Sequence, residues 1–68
     1  MAVHRGTVTE FDDPRGIGVV TSDVGVTLPF HCTAIADGTR TIAVDTAVAF
    51  EVVAGHLGRW EAARIRPV

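Results

Sequence analysis

The side chains able to carry out covalent or metal chemistry are few, and their spacing matches no known type of site. His31 and Cys32 are adjacent, so on a strand they would point to opposite faces. A zinc site normally takes four ligands, and His4 and His56 lie far from that pair in sequence. The carboxylates in residues 12–14 (DDP) are typical of a turn. We therefore expect no enzymatic activity, no bound metal and no cofactor.

Length and composition limit the architecture that must position any site. The 68 residues are enough for one domain, predicted over 1–68, and 47% apolar with 21% charged residues is typical of a globular chain. Cys32 is the single cysteine, so no internal disulfide can form, which suits a reducing cytoplasm. The sequence shows no secretion signal and no membrane-spanning apolar run. The net charge of −2 argues against a partner held by charge alone.

Turn residues divide the chain into five short extended segments. We predict strands over residues 5–11, 16–22, 26–32, 46–54 and 59–66, with one helical turn at 33–36. Pro29 has no N–H to donate, so its strand must be an edge strand or carry a bulge. Five short strands in a chain of this size favour an all-β antiparallel sheet rolled into a barrel, because closure removes exposed edges.

Several of these segments, in the same order, resemble the bacterial cold-shock domain. The matching motifs are GTVTEF at 6–11, RGIGVV at 15–20, LPFHC at 28–32, TAI at 33–35, VAFEVVAG at 48–55 and AARI at 62–65. The resemblance covers nearly the whole chain and implies a five-stranded oligonucleotide-binding (OB) fold barrel. It also implies a core made of Val8, Val20, Leu28, Phe30, Ile35, Val48, Phe50, Val52 and Ile65.

In function, the resemblance implies binding of single-stranded RNA or DNA, with effects on transcription or translation. In the family, outward rings on the second and third strands stack on bases while basic groups hold phosphates. The matching positions here are Phe11, Arg15, Ile17, Val19 and His31. At the margin of this site we place Arg40, Arg59 and Trp60.

This sequence departs from the family at most of the ring positions. Glu10 stands where the family has a Trp, Ile17 and Val19 replace two Phe, and Pro29 and Cys32 replace two more rings. Each ring stacked on a base contributes about 1–3 kcal/mol. We therefore predict weak binding.

Some residues have a second interpretation. Phe11 is either a stacking ring or a packed aromatic, and Trp60 is either a stacking surface or a lid over one end of the core. A contiguous aliphatic patch of Ile17, Val19 and Pro29 would also suit a homodimer or a protein partner. The alternative function is thus an interaction module that has lost nucleic-acid binding.

Overall fold

The computed structural model describes residues 3–55 and 58–68. All five predicted strands are present, and the predicted helical turn is a 3-10 helix. Among residues 3–55 and 58–68 there is no helix that could span a membrane. The elements are β1 His4–Asp12, β2 Ile17–Ser22, β3 Thr27–His31, the 3-10 helix Cys32–Ala34, β4 Ala47–Ala54 and β5 Trp60–Pro67.

The strands form one antiparallel sheet in the order β3-β2-β1-β4-β5. β3 lies at the edge of this order, so Pro29, which pairs with Val19, meets the expectation for a strand proline. The sheet curls until β3 packs against β5. Just beyond β3, Ile35 bridges to Ile65, and the Ala36 N–H donates to the Ile65 carbonyl at 2.8 Å. The rolled antiparallel sheet predicted from the sequence is therefore confirmed.

Eight of the nine predicted core residues are buried, and Val52 is the exception. Val52 is half-buried because it lies at the open end of the barrel, where it lines a groove described below. Two buried alanines, Ala49 and Ala62, were missed. Ala49 pairs with Arg5 on one side and Arg66 on the other, so long neighbouring side chains shield its short one.

Two β-bulges decide which residues face the interior. In β1 the register with β2 shifts between Val8 and Glu10, leaving Thr9 as an extra residue. In β5 two residues, Arg64 and Ile65, lie opposite Phe50, and Arg64 has a φ of 50°, a conformation in which glycine is usual. An extra residue shifts the alternation of inward and outward side chains by one position. Odd-numbered and even-numbered residues of the strand therefore exchange sides beyond the bulge.

Candidate nucleic-acid interface

Two rows of outward residues cross β1, β2 and β3. Residues that pair directly across antiparallel strands share a face, with Cβ atoms about 5 Å apart. Residues two apart in one strand stand about 7 Å apart along it. The Val19 row is Glu10–Val19–Pro29 and the Ile17 row is Asp12–Ile17–His31, and together they make up what we call the outer face.

Phe11 lies on the opposite side of the sheet from this outer face. It pairs with Gly18, which pairs with Phe30, and the rings of Phe11 and Phe30 stack with centroids 6.0 Å apart and planes 13° apart. Phe11 is half-buried and packs against the core. The structure therefore agrees with the packed-aromatic interpretation of Phe11 and does not place its ring beside Ile17 and Val19.

Gly18 faces the interior, where the lack of a side chain makes room for the Phe30 ring. A Cβ at Gly18 would stand 2.5 Å from Cζ of Phe30 and 2.7 Å from the carbonyl oxygen of Glu10. Real Cβ atoms do not approach this closely, so glycine is what lets the Phe30 ring lie against β2. Gly16 has a φ of 65° and faces the Cys32 side chain in the same way.

Ile17 and Val19 form the aliphatic floor of the outer face, and charged residues lie at its rim. Ile17 and Val19 are half-buried, whereas Pro29 and His31 are exposed. None of the three Phe rings or the Trp ring stands in either row. The imidazole of His31 is therefore the one aromatic group of the outer face. The floor offers apolar contact to a base but little ring stacking.

Arg15 is the nearest cation to the outer face in sequence. It lies exposed in the turn that joins β1 to β2, where its backbone N–H donates to Oδ1 of Asp12 at 3.3 Å. Glu10, Asp12 and Asp13 are also exposed in this region. Three carboxylates against one guanidinium make this part of the surface anionic, which opposes phosphate groups.

Trp60 lies near the turn that joins β2 to β3, at the opposite end of these strands from the Ile17 row. It is 62% exposed at the start of β5 and borders a cavity of about 340 Å³ at the other end of the strands. Along β2, Ser22 in this cavity lies roughly 16 Å from Ile17. Trp60 thus lies at the end of the core, beside the buried Leu28 and Phe50. The cavity, which we call the end groove, is lined by His4, Ser22, Val24, Val26, Leu28, Phe50, Val52 and Trp60.

The two marginal arginines lie in exposed loops. Arg40 is in the long loop before β4 and has a φ of 64°. Asp37 helps to order that loop, because it accepts hydrogen bonds from the backbone N–H of Thr39 at 3.0 Å and from its hydroxyl at 2.8 Å, which lower the pKa of Asp37. Arg59 precedes β5, and its carbonyl accepts a hydrogen bond from the Gly55 N–H at 2.6 Å. Neither belongs to the two rows.

Glu10 and Asp12 line the outer face, although the sequence predicted neither of them as a binding residue. Strict alternation from the inward Val8 would turn Glu10 inward and Phe11 outward. The Thr9 bulge reverses this order and brings Glu10 next to Val19. The resemblance pointed to the position of Glu10 as that of a lost ring, and this was the available signal.

No group of three or more potential metal ligands occurs among the described residues. His31 is exposed in the Ile17 row, whereas the half-buried Cys32 donates its backbone N–H to the Gly16 carbonyl at 2.7 Å. His56, named in the sequence analysis, lies outside the described residues.

The rolled five-stranded sheet, with two cross-strand rows on its outer side, defines a small OB-fold domain. The family model described as 'Cold-shock' DNA-binding domain matches residues 4–68. The chain therefore belongs to the cold-shock domain family, which is a nucleic-acid-binding family. This confirms the resemblance read from the sequence, apart from its bacterial attribution.

The structure of drosophila Unr CSD456 is similar over 98% of this chain, with a TM-score of 0.79 and 26% sequence identity. This chain spans 27% of the length of that one. No curated protein matches. The similarity in structure supports the OB-fold assignment.

Proposed function

We propose that this domain binds single-stranded RNA or DNA weakly, through the outer face. The observation that supports the proposal is the pair of rows, which place an aliphatic floor, a proline and a histidine side by side on β2 and β3 of a cold-shock domain. Ile17 and Val19 contact the flat faces of two neighbouring bases. His31 stacks on a base or bonds to its edge, and Arg15 contacts a phosphate. Phe11 supports the floor from within.

The composition of the outer face explains why the binding is weak. Apolar contact with Ile17 or Val19 lacks the stacking that a ring supplies at about 1–3 kcal/mol per base. The carboxylates of Glu10, Asp12 and Asp13 repel phosphates, and Arg15 offsets only one of them. Affinity therefore depends little on counterion release and falls only gently with added salt.

Weak binding of this kind suits a protein that keeps strands unpaired without holding them. In the reducing cytoplasm, where the free Cys32 thiol is stable, the domain would modulate transcription or translation in this way. Neither modulation of transcription nor modulation of translation requires the domain to prefer a long nucleotide sequence.

Restoring one ring on the outer face tests the proposal. Val19→Phe adds a stacking surface in the Val19 row, so we expect it to strengthen binding of a short labelled single strand about fivefold or more. The matched control is Val24→Phe, which adds the same ring to an 85% exposed residue of the end groove. Fluorescence anisotropy at low salt measures both, and circular dichroism verifies that both variants fold.

If the proposal is right, the Val24→Phe domain binds as the unmodified domain does. Equal gains from both variants would mean that any exposed ring attracts the strand, and no binding by the unmodified domain or by Val19→Phe would refute the proposal.

The alternative, an interaction module, uses the same patch of Ile17, Val19 and Pro29. These residues lie together on the outer face, and Pro29 is exposed, so an apolar contact with a second protein or a second copy is sterically open. Sedimentation distinguishes it from the first proposal. A concentration-dependent dimer that Ile17→Asp abolishes, together with no oligonucleotide binding, would favour the interaction module.

A further inference from the structure

Glu10 stands at the edge of the floor with its carboxylate unengaged. Its side chain is exposed on the outer face, and within residues 3–55 and 58–68 no hydrogen bond or ion pair involves it. Asp12 holds the equivalent position in the Ile17 row, but its Oδ1 already accepts the Arg15 N–H. Of the two carboxylates, Glu10 is therefore the one with both oxygens available to a ligand.

A base that lies on Val19 brings one of its edges to Glu10. The two residues pair directly across β1 and β2, so their Cβ atoms are about 5 Å apart. That distance is comparable with the width of a pyrimidine ring. The flexible Glu10 side chain can therefore reach the hydrogen-bonding edge of a base on the floor, which is how unstacked bases are read in single strands.

An ionised carboxylate accepts hydrogen bonds and donates none. Guanine presents two adjacent donors, N1–H and the N2 amino group, which match the two carboxylate oxygens. Cytosine and adenine present one amino group beside an acceptor nitrogen. Uracil and thymine present a single N–H between two carbonyl oxygens, and those carbonyls are repelled by the carboxylate. The order of preference that follows places guanine first and uracil or thymine last.

We propose that Glu10 is a specificity-determining residue that makes guanine the preferred base in the Val19 row. This inference rests on the proposed function, because it needs a single strand on the outer face. The ring that the family has at this position stacks on a base, whereas the Glu10 carboxylate accepts hydrogen bonds from one edge of the base. Affinity for the strand falls, while discrimination between bases rises.

Oligonucleotides that differ at one central base test the inference by fluorescence anisotropy. The set comprises a short thymidine strand and the same strand with a central guanine or a central hypoxanthine, which lacks the 2-amino group. A bidentate contact discriminates by about 1 kcal/mol or more, so we expect the guanine strand to bind about fivefold tighter than the thymidine strand. The hypoxanthine strand should fall between them.

Glu10→Gln assigns the preference to the carboxylate, because an amide offers one acceptor and one donor in place of two acceptors. We expect its ratio of guanine to thymidine affinity to fall close to one. The matched control, Asp13→Asn, removes the same charge from an exposed residue in the neighbouring turn. It should strengthen binding of every strand and leave the ratio unchanged.

Equal affinities for guanine and thymidine strands, or a guanine preference that survives Glu10→Gln, would overturn this inference and leave the proposed function intact. If no strand binds at all, the proposed function fails and the inference fails with it.

Discussion

The outer face and the interior of this barrel use the same strands but differ sharply in where rings stand. In β1, β2 and β3 the inward row Phe11–Gly18–Phe30 contains two stacked rings, and the adjoining outward rows contain only the imidazole of His31. In these three strands the rings thus stand on the inward side, while the outer face is aliphatic with carboxylates at its rim. A count of aromatic residues therefore does not reveal how many of them a base can reach.

The end groove adds a second contrast. Its exposed Trp60 and the His4 ring, which stacks on Phe50 at 5.9 Å, are aromatic groups at the end of the barrel away from the outer face. If rings alone attracted nucleic acid, the end groove would be the binding surface. The proposed function places binding on the outer face instead, so binding of a strand at the end groove would contradict it.

The largest expected effect comes from removing an interior ring. Phe30→Ala deletes a side chain that is 1% exposed, and we expect a loss of about 3–5 kcal/mol in the free energy of unfolding. A domain of 68 residues has little stability to spare, so the variant should be largely unfolded at room temperature. Val19→Ala on the outer face removes a half-buried side chain and should lose about 1 kcal/mol or less. Urea denaturation compares them, and similar losses would contradict the division between interior and surface.

A smaller effect is expected from adding a methyl group at Gly18, which lies between Phe11 and Phe30 in the inward row. Gly18→Ala places a methyl group against the Phe30 ring and the Glu10 carbonyl, and we expect it to destabilise the domain by about 1–3 kcal/mol. Phe30→Leu withdraws the ring that obstructs the methyl group. In a double-mutant cycle measured by denaturation, the combined variant should therefore lose less stability than the sum of the two single variants. Additive losses would show that Gly18 has another role.

The sequence predicted the five strands and most of the core because turn residues and inward aliphatic residues follow simple periods. It placed Pro29 correctly, since a missing N–H leaves few positions in a sheet. Of the predicted core residues, Val52 is only half-buried, packing against the buried cluster beside the end groove, and the prediction omitted Ala49 and Ala62. A short side chain is buried or exposed according to the length of its neighbours, which the sequence period does not show.

The candidate site was less predictable because β-bulges decide which side of the sheet its residues occupy. Thr9 is an ordinary strand residue and gives no sign that it is the extra one, yet its bulge sends Phe11 inward and Glu10 outward. Arg64 adopts the left-handed conformation of a bulge where glycine would have signalled one. Trp60 begins β5 opposite Ala54, at the end of the barrel where Ser22 ends β2. The linear sequence does not show which ends of these strands lie together.

Residue-by-residue NMR during titration with a short guanine-containing single strand tests the central claim most directly. We expect saturable shifts in the backbone amides of Glu10, Ile17, Val19 and His31, with the Trp60 indole and the amide of Val24 unchanged. Shifts confined to Trp60 and Val24, or none at any concentration of strand, would contradict it.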